Sequence, residues 1–379
     1  MPLIRGLFIL LSTMIFFVSC NASPEQGSAV DSVKAVVKVD ADTTVRIKKF
    51  DGDSEQKMLK VLNSAQFNGS CIVLRKDGAT FVYSNGLSDR KKNSPNDTST
   101  LFHIASVSKH VTALAIMNLV EKGKVDPAAP ASKYLKLKFP YYEIKVKNLL
   151  DHTSGLPDFN TLPGGIKAKG KGPENDEIIS AYISAKTPLK FTPGSKFDYV
   201  NTNYIVLASI IENVSGKPFE EFVRSELFGK AGDDRIYQNI ELEKSNLPAA
   251  TGYPGLTGEK PVSNSETDLY SMRKGSGGLW TSASTLATWY KFLFFKDNKY
   301  TDLLRTYKPG AGTFILGWYR SAVKKEHYYY NHGVFPGFGA WCAYLPASEE
   351  IIILLSNNSS NIQNTGVQLI NAILDASTN

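Results

Sequence analysis

Leu101-Phe102-His103-Ile104-Ala105-Ser106-Val107-Ser108-Lys109 is the stretch on which the fold and the chemistry both turn. Its first half is apolar and strand-like. Its second half opens a helix predicted over Ser106–Glu121, with Val107, Val111, Leu114, Ala115, Leu119 and Val120 on one side and Gly123 just past the end. A serine at a helix start meets unpaired backbone N–H groups and the positive end of the dipole, both of which favour developing negative charge. Lys109, three residues on, shares a face with Ser106. Partial burial there lowers a lysine pKa toward that of a general base. A serine hydroxyl needs such a base within reach, and donors for the oxyanion it creates. The S-x-x-K spacing recurs at Ser54, Ser88, Ser271 and Ser321, so spacing alone is a weak signal. Only Ser106 follows a buried-looking run and opens a long amphipathic helix. An N-cap role explains the serine but not the lysine.

Outward from this segment, the pattern predicts an α+β fold. Upstream lie a helix over Asp53–Ala65 and two strands, Gly69–Leu74 and Thr80–Tyr83, joined by the turn Lys76-Asp77-Gly78. Downstream, the chain is turn-rich from Lys124 to about Lys274, with helices over Tyr204–Val214 and Phe219–Leu227. A helix over Ser284–Phe295 follows, then extended runs at Phe314–Tyr319, Ala340–Leu345 and Ile351–Ser356, and a closing helix over Val367–Leu374. Strands at both ends and helices between them imply an antiparallel sheet flanked by helices, with a mainly helical second lobe inserted at roughly residues 125–275.

The first residues are a different kind of segment. A basic residue, Arg5, precedes the apolar run Gly6–Val18, which is too short to span a bilayer comfortably. Ser19-Cys20 then sits where a lipoprotein signal is cut. We expect a signal peptide over residues 1–19, lipidation of Cys20, a tether over residues 20–50 and one domain over residues 51–379; cleavage after Ala22 is the rival. The expected location is the bacterial cell envelope, in the periplasm or at the outer membrane, held through a lipid anchor. Cys71 and Cys342 lie in apolar runs and read as buried thiols rather than a disulfide. No Cys/His cluster suggests a metal, and nothing calls for a cofactor. The chain is 42% hydrophobic and 21% charged, an ordinary globular balance, and its formal charge of +7 is scattered in short clusters. That excludes the concentrated basic element of a nucleic-acid binder.

Two later segments add candidates. Tyr199-Val200-Asn201 offers a phenol to relay protons and an amide to hold substrate. Asn331-His332-Gly333-Val334 offers a glycine against which a substrate backbone can lie, and the Val334 N–H as an oxyanion donor. Y-x-N also occurs at Tyr83 and Tyr329, and an isolated strand histidine is usually structural.

Taken together, these segments resemble the class C β-lactamase-related serine hydrolases. Phe102–Lys109 resembles the family's nucleophile segment. Leu149–Pro157 (L-L-D-H-T-S-G-L-P) is similar to its L-L-x-H-T-S-G-L stretch, and Pro193–Tyr204 to its P-G-x-x-F-x-Y-S-N-x-x-Y stretch. Gly277–Ser282 matches its G-G-L-x-S/T-T loop, and Pro336-Gly337-Phe338 and Tyr344-Leu345-Pro346 its last strands. The resemblance implies a β-lactamase/transpeptidase-like fold and an acyl-enzyme on Ser106. It implies that Lys109 and Tyr199 share the base role, that Asn201 orients substrate, and that the Ser106 and Val334 N–H groups receive the oxyanion. His152 is expected to tie a loop together. It also implies that the strands carrying Cys71 and Cys342 are not neighbours.

The third motif departs from the family. Where relatives carry K-T-G or H-x-G, this chain has Asn331-His332-Gly333, with the histidine in the middle position. Either Asn331 supplies a neutral hydrogen bond or His332 reaches the pocket through a bulge. Loss of the cation argues against an efficient β-lactamase. Val200 also replaces the family's frequent serine. An esterase or D-amino-acid-directed peptidase is therefore favoured, acting on a small-molecule ester, a peptide or a peptidoglycan-derived substrate. The alternative is a penicillin- or peptidoglycan-binding lipoprotein with little or no turnover.

Overall fold

In the computed structural model, residues 49–161, 174–238, 246–255, 262, 273–296, 298–358 and 361–376 are described. The expected signal segment, Cys20 and nearly all of the tether lie outside them. Phe50, at the tether's expected end, is buried, with the Arg75 guanidinium 4.9 Å from its ring.

The Lys76-Asp77-Gly78 turn closes as its sequence predicts. Asp77 Oδ1 accepts the Ala79 N–H at 2.9 Å, and Gly78 takes φ +95°, a region where a side chain is strained. It joins β1 (Gly69–Arg75) to β2 (Thr80–Asn85). The far end of the chain supplies β8 (Phe314–Ile315), β9 (Trp318–Val323), β10 (Glu326–Phe335), β11 (Phe338–Leu345) and β12 (Glu350–Ser356). All seven form one sheet in the order β2-β1-β12-β11-β10-β9-β8, with antiparallel pairing throughout. β1 and β12 are buried at nearly every position because both faces of the sheet are covered. On one face lie α1 (Gly52–Ser64) and the C-terminal helix Ile362–Ala376. Gly366 of that helix has no side chain because the Trp341 indole packs against its backbone.

The opposite face carries the larger core and the helices from the middle of the chain: α2 (Ser108–Glu121), α3 (Val146–Leu150), α4 (Asn175–Ala185) and α5 (Asn201–Ser215). α6 (Phe219–Val223) runs through a π turn at Arg224–Phe228 into α7 (Gly229–Ala231). α8 (Ala283–Lys291) and α9 (Asn298–Thr306) follow. Two small sheets frame this region: β3 (Leu87–Asp89) with β4 (Ser94–Pro95), and β5 (Leu101–His103) with β6 (Ile236–Gln238) and β7 (Leu279–Ser282) in the order β5-β7-β6. Among the described residues, no helix is long and apolar enough to cross a membrane.

Three element expectations shift. The predicted run Phe314–Tyr319 is a tight hairpin, β8–β9, because Leu316 and Gly317 take φ +49° and +90° where Gly317 abuts the His110 backbone. The helix expected from Tyr204 begins at Asn201, whose N–H is capped by Asp158 Oδ2 at 2.9 Å. The closing helix starts at Ile362 rather than Val367. Cys71 and Cys342 are both free and buried. β12 separates their strands, and the two thiols fall in the cores on opposite faces.

Candidate active site

The site begins with a strained turn. β5 ends at His103, and the chain passes through a 3₁₀ turn, Ala105–Val107, before α2 starts at Ser108. Ser106 therefore lies in that turn, not in the first turn of an α-helix as expected. The corner is made by Ala105 at φ +45°, a left-handed conformation that costs a non-glycine residue about 1 kcal/mol. His103 Nδ1 accepts the Ala105 N–H at 3.2 Å and holds the corner. The same ring stacks on Phe335 at 4.1 Å. Burial drives the His103 pKa down to about 3, so the imidazole is neutral and this nitrogen stays an acceptor.

Lys109 is fully buried, one turn into the helix. Its Nζ lies 3.0 Å from Ser106 Oγ, 2.9 Å from Asn201 Oδ1 and 2.6 Å from the Ser276 carbonyl. It also sits 4.8 Å from the centre of the Tyr199 ring. Burial, and then the charge of Arg273, hold its pKa well below the usual lysine range, against an opposing pull from Asp158. A neutral amine has two N–H bonds and one lone pair. Asn201 Oδ1 and the Ser276 carbonyl accept both hydrogens, which leaves the lone pair for the Ser106 hydroxyl.

Burial pushes the Tyr199 pKa up, against an opposing pull from the nearby Ser106 hydroxyl, so the phenol keeps its proton. His152 holds this side chain in place: the two rings lie 4.4 Å apart, and the His152 carbonyl accepts the Asp198 N–H at 2.9 Å. His152 Nδ1 accepts the Val200 N–H at 3.3 Å and lies 3.0 Å from Asn203 Nδ2. Burial, and then the nearby Lys109, keep its ring neutral.

Gly333 explains how β10 meets the serine. A β-carbon there would lie 2.5 Å from the Ile104 carbonyl and 2.6 Å from Ser106 N. β9 stops opposite Tyr330, so beyond that point β10 carries no strand on this edge and the serine turn packs against it. Ser106, Asn201 and Val334 line a common cavity of about 330 Å³, with Asn160, Arg273 and the loop Ser276-Gly277-Gly278. Asn331 and His332 do not line it. Asn331 is buried near the Tyr290 phenol, in register with Cys342. His332 is in register with Trp341 and stacks with Tyr330 at 6.3 Å. The β10–β11 register is unbroken from Tyr329 to Phe335, so there is no bulge to turn His332 toward the pocket.

Two residues escaped the sequence reading. Asp158 caps Asn201 from 43 residues upstream. Arg273 is 4% exposed and places its guanidinium 4.4 Å from the Phe159 ring centre. A cation shortly before a glycine-rich loop was the available signal, and it is indistinguishable from a surface arginine without the fold.

A serine, a buried lysine, a protonated tyrosine and an open strand edge on one antiparallel sheet define a serine-hydrolase type of centre. The chain belongs to the Beta-lactamase family, whose model matches residues 50–375. A relative in Bacillus subtilis (strain 168), named putative penicillin-binding protein PbpX, is 31% identical over 390 aligned positions, covering 96% of this chain and 94% of the relative. A penicillin binding protein from Bacillus halodurans has a similar structure, with a TM-score of 0.70 and 26% identity over 84% of this chain and 98% of that one. D-amino acid amidase from Ochrobactrum anthropi SV3 shares the fold, with a TM-score of 0.70 at 21% identity over 86% of this chain and 99% of that one.

Proposed function

We propose that the protein hydrolyses an ester, or an amide or peptide, through an acyl-enzyme on Ser106. The observation that carries this is the set of partners around Lys109 Nζ, which leaves a lone pair for Ser106 Oγ. Neutral Lys109 takes the Ser106 proton as Oγ attacks the carbonyl carbon. The N–H groups of Ser106 and Val334 receive the oxyanion. As the intermediate collapses, the Tyr199 phenol donates its proton to the leaving group and recovers one from Lys109. Water then attacks the acyl-enzyme by the reverse relay and frees the acid. Asn201, with Oδ1 on Lys109, keeps its Nδ2 for a substrate carbonyl.

An esterase or D-amino-acid-directed peptidase is favoured over a β-lactamase. Neither Asn331 nor His332 lines the cavity, so neither replaces the cation of the family's third motif there. The test is release of nitrophenol from short-chain 4-nitrophenyl esters, with Ser106→Ala beside the unmodified protein. Loss of the nucleophile is expected to cost about 10⁴-fold or more in kcat. Unchanged activity in the variant would point to another serine. Absence of activity in both would favour the binding lipoprotein that recognises penicillin or peptidoglycan without turnover.

We further propose that the protein is exported to the bacterial cell envelope and anchored by lipid on Cys20. The Gly6–Val18 run and the Ser19-Cys20 pair support this. Metabolic labelling with a fatty acid should mark the full chain, and Cys20→Ser should abolish the label. A secreted form beginning after Ala22 would overturn it.

A further inference from the structure

His110 is a buried titratable group that the acyl-enzyme chemistry does not use. It follows Lys109 at the start of α2 and packs against the Tyr290 and Trp318 rings, with centres at 5.3 and 5.5 Å. Both of its ring nitrogens are engaged. Nε2 lies 3.0 Å from the Trp289 indole nitrogen on α8, and Nδ1 lies 2.5 Å from the Val107 carbonyl oxygen. An indole N–H can only donate, and a carbonyl can only accept. Burial keeps the imidazole neutral, with a pKa of about 3, so the ring has one bare nitrogen and one N–H. A single tautomer satisfies both partners: bare Nε2 accepts from Trp289, and Nδ1–H donates to Val107. His103 and His152 use the opposite arrangement, each accepting a backbone N–H at Nδ1.

The Val107 carbonyl belongs to the turn that carries the nucleophile. Val107 is the last residue of the Ala105–Val107 turn and follows Ser106 directly. Its own N–H closes that turn on the Ile104 carbonyl at 3.0 Å. The His110 backbone is held as well, because Gly317 abuts it so closely that a β-carbon there would lie 2.3 Å from His110 Cα. The ring is thus tied to α8 and the backbone to the β8–β9 hairpin, so the Nδ1–H reaches Val107 from a fixed point.

We propose that His110, locked in one tautomer by the Trp289 N–H, is a positioning residue that fixes the Ser106 turn through the Val107 carbonyl. This rests on Ser106 being the nucleophile. Asn at position 110 places an amide N–H near where Nδ1 stands, toward Val107, whereas Gln places its amide near Nε2, toward Trp289. With 4-nitrophenyl hexanoate, His110→Gln should lower kcat about tenfold to 10²-fold with KM little changed, the cost of a misplaced reacting group. His110→Asn should recover most of that loss. Unchanged kcat in His110→Gln, or equal losses in the two variants, overturns the proposal. The tautomer is read separately, by ¹⁵N NMR of the full chain labelled in histidine, with the His110 signals assigned by their loss in His110→Asn. They should show a protonated Nδ1 and a bare Nε2 at neutral pH, and a protonated Nε2 overturns the proposal. If the unmodified protein turns over no ester, the nucleophile reading fails and the turn is read by hydrogen exchange instead. Exchange at the Val107 amide should quicken about tenfold or more in His110→Gln and stay near the unmodified rate in His110→Asn. Equal exchange in all three proteins overturns the proposal.

Discussion

At the scale of single residues, the proposed mechanism makes activity depend on the protonation of Lys109. Its neutral form is the competent base, so kcat/KM should fall as pH drops through its pKa. Burial and the Arg273 charge both lower that pKa. Removing Arg273 removes a like charge, so the pKa rises. The acid limb of kcat/KM for 4-nitrophenyl hexanoate should accordingly move to higher pH in Arg273→Gln. A limb that stays in place, or moves to lower pH, contradicts the assignment of Lys109 as base. Lys109→Met, which removes the base, should lower kcat by about 10²–10⁴-fold. Steady-state kinetics on the folded variant checks this, and a loss under tenfold rules out Lys109 as base.

At the scale of elements, the site is the meeting of a turn and a strand edge. Ala105 is left-handed and Gly333 lacks a side chain for the same reason: the β5–α2 corner and β10 touch backbone to backbone. Gly333→Ala puts a methyl group against Ser106 N and the Ile104 carbonyl. Both belong to the serine turn, so the turn must shift and carry with it the Ser106 N–H, an oxyanion donor in the proposed mechanism. We expect kcat to fall about 10²–10³-fold, the cost of losing one such donor, with a smaller effect on KM. Near-normal kcat with a folded protein would show that the Ser106 amide is not a donor. The β8–β9 hairpin is a second such contact, in which Gly317 abuts the His110 backbone.

At the scale of the whole molecule, burial sets the response to acid and to thiol reagents. Burial holds His103 and His110 at pKa values of about 3. His110 is further locked by the Trp289 indole N–H, which donates to its Nε2 at 3.0 Å. An unfolded histidine titrates near 6.5. Between about pH 6.5 and 3, the unfolded chain binds protons that the folded chain does not, so stability falls as pH falls. The slope approaches about 1.4 kcal/mol per pH unit for each such histidine. Urea midpoints at pH 7, 6 and 5 should decline in that order, and a rise toward pH 5 would contradict it. Burial also pushes the Cys342 thiol up to about 12 and raises that of Cys71. Both should resist a thiol reagent in the native state and react on unfolding, which thiol titration with and without denaturant measures.

Much of this was legible from the chain itself. Alternation and turn chemistry are local, so the Lys76-Asp77-Gly78 hairpin, the terminal strands and the helix carrying Lys109 could be read directly, as could the family to which the ordered motifs belong. The sequence also picked out Ser106, Lys109, Tyr199 and Asn201, which the fold brings within a few ångströms of one another. Tertiary structure alone decided the rest. The helix carrying Asn201 starts early because Asp158 caps it from another loop, and Phe314–Tyr319 bends because His110 occupies the space beside it. The β10–β11 register is unbroken, so no bulge re-aims Asn331 or His332, and neither lines the cavity. Arg273 gains its importance only once it is buried beside Ser106. Periodicity records which face of an element is apolar; which charges share a cavity depends on residues far apart in sequence, and only the folded chain brings them together.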